Sequence, residues 1–135
     1  MKFEYLEHTA DIKFRAYGKG LEKVFINSAL AFRKSMVKKV RGRKKQHIIV
    51  EGKDLENLMY NFLEELLFLI DTSGFILSRV KKINIDLKKF KLEAELVGDR
   101  VSKYEFMTEV KAITYQELIV REEDGKWVVQ VVLDV

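Results

Sequence analysis

The 135-residue chain is 47% hydrophobic and 11% aromatic, enough apolar material for the core of one domain without covalent staples. It has no cysteine, which excludes disulfides, thiolate metal sites and cysteine nucleophiles. The formal net charge is +4, yet "KKVRGRKK" at 38–45 carries six positive charges, so the other residues sum to −2 and the protein has one basic segment rather than a basic surface.

"KFEYL" (2–6) and "DIKFRAYG" (11–18) alternate with a period of two, with Ile12, Phe14 and Ala16 on one face and Lys13, Arg15 and Tyr17 on the other. That predicts two strands joined through a turn holding His8 and Thr9. From Leu21, apolar residues recur at Val24, Phe25, Ala29, Phe32 and Met36, so a first helix is expected over about 21–37 with Gly20 as its N-cap. "HIIVEG" (47–52) reads as a strand, which leaves the basic segment as a connecting loop. A second helix is expected over 54–71, capped by Asp54, with Leu55, Leu58, Met59, Phe62, Leu66, Leu69 and Ile70 on one broad face. Glu64 points away from that face, whereas Glu65 lies at its border, a carboxylate at the edge of the core.

"TSGF" (72–75) ends the helix, and the remainder reads as strands at 80–87, 90–98, 109–123 and 127–135. The last two flank Asp124-Gly125, a tight-turn dipeptide, which predicts a long antiparallel hairpin. In the final strand Val128 and Val132 are apolar on the face opposite Trp127, Val129, Val131 and Leu133, as expected of a central strand covered on both sides. There is no visible internal repeat, proline or low-complexity tract, so a single domain over 1–135 is expected. No leader opens the chain, and runs such as "LLFLI" fall far short of the roughly 20 apolar residues of a membrane span, which fits a soluble cytoplasmic protein without a membrane partner. Abundant Lys and Glu with only seven Asn and Gln lean toward a thermophilic source.

Several groups could carry chemistry. Asp134 and the terminal carboxylate of Val135 are adjacent oxygen donors at the end of a central strand, and Asp11 opens a strand of its own. If the three met, like-charge repulsion would call for a hard, oxygen-preferring cation rather than zinc. The alternative is that both aspartates are solvated strand-end residues that never meet. His8, among acids in a turn, is either a general base or structural. Lys111 in "EVKAITY" shares a strand face with Ile113 and Tyr115 and is either a partner contact or an exposed side chain. Lys38, Lys39, Arg41, Arg43, Lys44 and Lys45 could bind RNA phosphates, although no aromatics interleave to stack bases. No phosphate-cradling glycine loop is present.

"EYLEHTADIKFRAYG", "EVKAITYQEL", the "NFLEELLFL" helix and the final "VVLDV" together resemble the archease family over essentially the whole chain. The resemblance implies an α+β fold of strand-helix-strand-strand units, one inserted in another, with a mostly antiparallel sheet. It implies an accessory protein, not itself an enzyme, for the GTP-dependent RtcB-type RNA ligase of tRNA splicing, promoting its guanylylation and repeated turnover. GTP would belong to the ligase, and tRNA would be met indirectly or weakly. The family's divalent-metal site falls on Asp11, Asp134 and the carboxylate of Val135, with Ca²⁺ the first choice and Mg²⁺ or Mn²⁺ as alternatives. Glu65 matches an acid of the family's second helix and would act, like His8 and Lys111, as an outer acceptor or partner contact. Gln116 stands where His is expected in many members, and it cannot titrate. The rival reading, from the residues alone, is an RNA-binding or general chaperone module acting through 38–45.

Overall fold

The computed structural model describes all of residues 1–135. Strands β1 (Phe3–Leu6) and β2 (Ile12–Gly18) form the expected hairpin, with Phe3 opposite Ala16. Helix α1 (Leu21–Lys34) starts from Gly20 and stops earlier than the apolar spacing predicts. Its end is a tight turn in which the N–H groups of Met36 and Val37 both return to the carbonyl of Arg33, so these two residues stay buried without extending the helix.

Strand β3 (Lys44–Glu51) begins earlier than expected, because Lys44 and Lys45 pair with Gly98 and Val97. On an edge strand their charges can stay in water. Helix α2 (Leu55–Ser73) is capped as expected, the Asp54 carboxylate accepting the N–H of Asn57 at 2.8 Å. Strand β4 (Phe75–Asp86) also starts earlier than the sequence suggests, since a register shift between Leu77 and Arg79 interrupts its alternation. Strand β5 (Lys91–Arg100) and a 3-10 turn at Val101–Lys103 follow.

The segment expected as one strand over 109–123 is two short strands, β6 (Ala112–Ile113) and β7 (Ile119–Glu123), both antiparallel to β8 (Lys126–Asp134). Ile113 faces Leu133 and Ile119 faces Gln130, so residues 114–118 must bulge out opposite only Val131 and Val132. Glu117, in the bulge, takes a φ of 54°. Asp124 and Gly125, at φ 49° and 78°, make the expected tight turn between β7 and β8.

Sheet one runs β1-β2-β8-β6, with β7 also on β8; sheet two runs β3-β5-β4, and every pairing is antiparallel. The helices lie between the sheets, α1 against β2 and β4, α2 against β3, β4, β6 and β7. One apolar cluster of 32 residues, including Phe14, Phe25, Phe62, Leu96 and Val131, joins all of these layers. The architecture is the expected α+β one: β3-α2-β4-β5 is a strand-helix-strand-strand unit inserted into a second, β2-α1 followed by β7-β8. In each unit the last strand sits between the other two.

The units share a device that corrects the reading of a chain without internal repeats. "GKGLEKV" (18–24) and "GKDLENL" (52–58) match at Gly, Lys, Leu and Glu. A Cβ on Gly18 would lie 2.5 Å from the nitrogen of Val24, and one on Gly52 would lie 2.6 Å from that of Leu58. Both strands therefore enter their helices through a contact that only glycine fits. No helix is long and apolar enough to cross a membrane.

Candidate functional site

The β2–β8 register ends with Ile12 opposite Leu133; Asp11 precedes Ile12 in a bend that follows Ala10 at φ 68°, and Asp134 is the last residue of β8, paired there with Ala112 of β6. Both aspartates therefore lie at the same end of the β2–β8 pair, each one residue beyond its last matched position. The alternation that sends Phe14, Val131 and Leu133 into the core sends Lys13, Arg15, Gln130, Val132 and Asp134 to the other face. There the 114–118 bulge folds over β8. Thr114 Oγ1 donates to the carbonyl of Val132 at 2.9 Å, and Gln130 Nε2 donates to that of Glu117 at 2.8 Å. Arg15 Nε donates to Gln130 Oε1 at 2.8 Å. Gln130 and Val132 are consequently buried, so β8 is covered on both faces as its sequence predicts.

Glu117 is the hub of this corner. Its carboxylate accepts from Lys13 Nζ at 3.0 Å and lies 3.3 Å from His8 Nε2. The Lys13 hydrogen bond first, and that of His8 second, hold the Glu117 carboxyl below the usual glutamate range. His8 Nδ1 points toward Asp11 Oδ2 at 3.7 Å, too far for a hydrogen bond, and is buried without a partner. Asp11 is 26% exposed at its side chain. Asp134 is exposed, and its carbonyl accepts the N–H of Lys111 at 2.7 Å, which fixes the backbone beside the carboxylate. The side chain of Val135 packs on the apolar cluster.

No three His, Cys, Asp or Glu side chains are grouped to hold a metal ion. This end of the sheet offers two carboxylates, Asp11 just before β2 and Asp134 at the end of β8, a donor chemistry that fits a hard cation once a further oxygen, such as a terminal carboxylate at Val135, joins them. The orphaned His8 nitrogen beside Asp11 adds polar capacity to the same spot.

The structure thus sets His8 beside Asp11 and the Lys111 backbone against Asp134, with both aspartates at the same end of the β2–β8 pair, and leaves other expected residues elsewhere. Lys111 precedes β6 with its side chain exposed, so it does not share a strand face with buried Ile113. Glu65 forms no hydrogen bond or ion pair with either aspartate. It lines a groove of α2 with Asn61, Glu64 and Phe68, where burial pushes its carboxyl above the usual range. Gln116 is exposed in the bulge, its N–H on Thr114 Oγ1 at 3.2 Å. The basic segment divides, Lys44 and Lys45 in β3 and the rest in the preceding connection, so it is not wholly a loop. Glu117, Lys13 and Gln130 were missed by the sequence reading. The one legible signal was Gln130, a polar residue inside the apolar run "WVVQVVLDV".

A family model described as the Archease protein family (MTH1598/TM1083) matches residues 3–135. The chain belongs to the archease family. The protein archease of Pyrococcus abyssi is 41% identical over 140 residues, with 99% of each chain covered. That of Methanosarcina mazei is 39% identical, over 99% of this chain and 96% of the relative. Among solved structures, the solution structure of Methanobacterium thermoautotrophicum protein 1598 aligns with a TM-score of 0.85 at 34% identity, covering 99% of both chains. The crystal structure of a Thermotoga maritima archease, described as a possible chaperone, aligns at a TM-score of 0.69 and 21% identity over 96% of this chain and 94% of that one, a likeness of fold.

Proposed function

We propose that this archease is a non-catalytic accessory factor of a GTP-dependent, RtcB-type RNA ligase of tRNA splicing, acting in the cytoplasm and raising ligase guanylylation and turnover. The observation that carries the reading is that Asp11 and Asp134 each stand one residue beyond the last pair of the β2–β8 ladder, Ile12 and Leu133, at the positions the family resemblance assigns to a divalent ion. Family membership over residues 3–135 supports it. A bound divalent cation, Ca²⁺ before Mg²⁺ or Mn²⁺, would supply positive charge able to orient a phosphate or a carboxylate of the partner.

This chain's own residues do the rest. Asp11 and Asp134, with the Val135 carboxylate, would provide anionic oxygens at the end of the β2–β8 pair, whose inward side chains Phe14, Val131 and Leu133 are buried. Glu117, clamped by Lys13 and His8, holds the bulge over β8 and so fixes the corner's outline. Such a role is chaperone-like toward one partner. The exposed large apolar residues Tyr5, Ile49, Phe68, Leu87, Met107 and Tyr115 fall in different strands, a helix and connections along the chain.

The test is RNA ligation by the cognate ligase with RNA in excess, comparing the wild type with Asp11→Ala and Asp134→Ala. The reading expects the wild type to raise turnovers per ligase and both variants to lose that effect while melting like the wild type. Full activation by both variants would overturn it.

A further inference from the structure

The segment 38–45 is pinned to the body of the protein by its backbone at Lys38, Val40, Arg41 and Arg43. Arg33, only 5% exposed, reaches up from α1 to donate from Nη1 to the carbonyls of Val37 at 3.1 Å and Lys38 at 2.6 Å, and from Nη2 to that of Ser78 at 2.9 Å. Ser78 Oγ donates to the carbonyl of Val40 at 2.6 Å. The N–H of Arg41 donates to the hydroxyl of Tyr104 at 2.9 Å, and that of Arg43 donates to the carbonyl of Gly98 at 2.8 Å. Lys44 and Lys45 are already within β3. The backbone is therefore preorganised, whereas Lys38, Lys39, Arg41, Arg43, Lys44 and Lys45 are all exposed and none joins an ion pair.

Beneath this ridge the charges cancel only in part. Arg33 has no carboxylate partner, and its Nε is buried without an acceptor. Arg41, Arg43, Lys103 and Tyr104 line an open cavity of about 440 Å³ with Asp99 at its floor. Asp99 is 2% exposed and fully engaged, its Oδ1 accepting the N–H of Arg100 at 2.8 Å and its Oδ2 the Tyr104 hydroxyl at 2.7 Å, with Lys103 Nζ 3.8 Å away. It braces the Tyr104 hydroxyl that receives Arg41 and offsets part of the charge of Lys103, a single carboxylate against the six cations of 38–45 and Lys103. Natural surfaces disperse such charge, and a rigid row of unpaired cations is kept apart only at an electrostatic cost.

We propose that the ridge 38–45, together with Lys103, binds the phosphodiester backbone of a nucleic-acid strand without reading its bases. Unpaired cations gain from such a ligand through counterion release. Nothing on the ridge favours base recognition, since Tyr104 spends its hydroxyl on Asp99 and Arg41. An acidic protein surface fits less well, because stable protein interfaces have an apolar or aromatic centre and none of the exposed large apolar residues lies in 38–45. The inference does not depend on the ligase reading, as the ridge shares no residue with the Asp11–Asp134 corner.

The experiment is anisotropy of a short, unstructured, labelled RNA titrated with the full chain at several salt concentrations, repeated with DNA of the same sequence. Affinity should fall steeply with salt, and RNA and DNA should bind alike. The triple variant Arg41→Gln, Arg43→Gln, Lys103→Gln should weaken binding about tenfold or more and lower the salt slope by about 2. The control Lys88→Gln, Lys89→Gln, Lys91→Gln removes three charges about 23 Å along the sheet from Lys44, and should bind nearly as well as the wild type. Asp11→Ala should also bind RNA normally, which separates this result from any failure of the ligase reading. The proposal is overturned if the wild type shows no salt-sensitive binding, if the ridge variant binds unchanged, or if the control loses as much. Binding to polyglutamate but not to RNA would overturn it too.

Discussion

The two strand-helix-strand-strand units place opposite charges at corresponding corners. With Gly18 matched to Gly52, Asp11 corresponds to Lys45, and Asp134, at the same end of the ladder as Asp11, corresponds to Val97, across from Lys45. The outward faces differ as well. In the outer unit Lys13 is 16% exposed under the bulge, whereas its counterpart in the inserted unit, His47, is 51% exposed and meets Glu93 at 2.7 Å in open solvent. Five residues opposite two, at 114–118, account for that contrast: β4 has no comparable excursion and leaves its sheet bare. The comparison teaches that the scaffold fixes where a corner lies, while one bulge and the residues at the strand ends decide what it presents.

The largest expected effect probes what the basic corner rests on. Arg33→Leu strips the carbonyls of Val37, Lys38 and Ser78 of their buried donor and should cost about 3 kcal/mol in urea unfolding. The shared entry into the helices should break alike in both units: Gly18→Ala and Gly52→Ala each force a Cβ into helix backbone and should each cost about 2–3 kcal/mol. A large loss at one and none at the other would dissolve the correspondence.

At the acidic corner, Glu117→Gln sharpens the contrast through pH. Because the Glu117 carboxyl is held below its ordinary range, the folded state gains stability from it above that range and loses this as the pH falls through the lowered value. The variant should melt below the wild type at neutral pH and converge with it in acid. The matching substitution in the inserted unit, His47→Gln, breaks only an exposed pair and should shift stability by less than about 0.5 kcal/mol. Glu65→Gln should act in the opposite sense to Glu117→Gln. Burial raises this carboxyl, so its ionisation opposes folding as the pH rises through the upper carboxylate range. The variant should melt slightly higher at neutral pH, an advantage that vanishes in acid.

Much of this was legible from periodicity. The alternation of "DIKFRAYG", the cap at Asp54 and the turn at Asp124-Gly125 each specify local backbone, and the structure follows them. The bulge was not legible, because "AITYQELIVREE" alternates well enough to pass for one strand and the register with β8 is a long-range property. Glu117 was missed for that reason. The early end of α1 depends on Arg33 capturing carbonyls from residues outside the helix, which no helical pattern encodes. The repeat at Gly18 and Gly52 was present in the letters, but seven residues gain meaning only when both glycines meet helix backbone. The two aspartates needed both kinds of information: residue chemistry marked the donors, and the β2–β8 register set them at the same end of the sheet.

The most direct test of the central claim, that the outer unit's corner is a cation-dependent docking point, is calorimetric titration of Ca²⁺ into the wild type and into Asp11→Lys, which installs the residue type of the inserted unit. The account predicts one Ca²⁺ per wild-type chain and none for the variant, with the melting profile and RNA binding of the variant retained. Equal Ca²⁺ binding by both proteins, or none by the wild type, would contradict it.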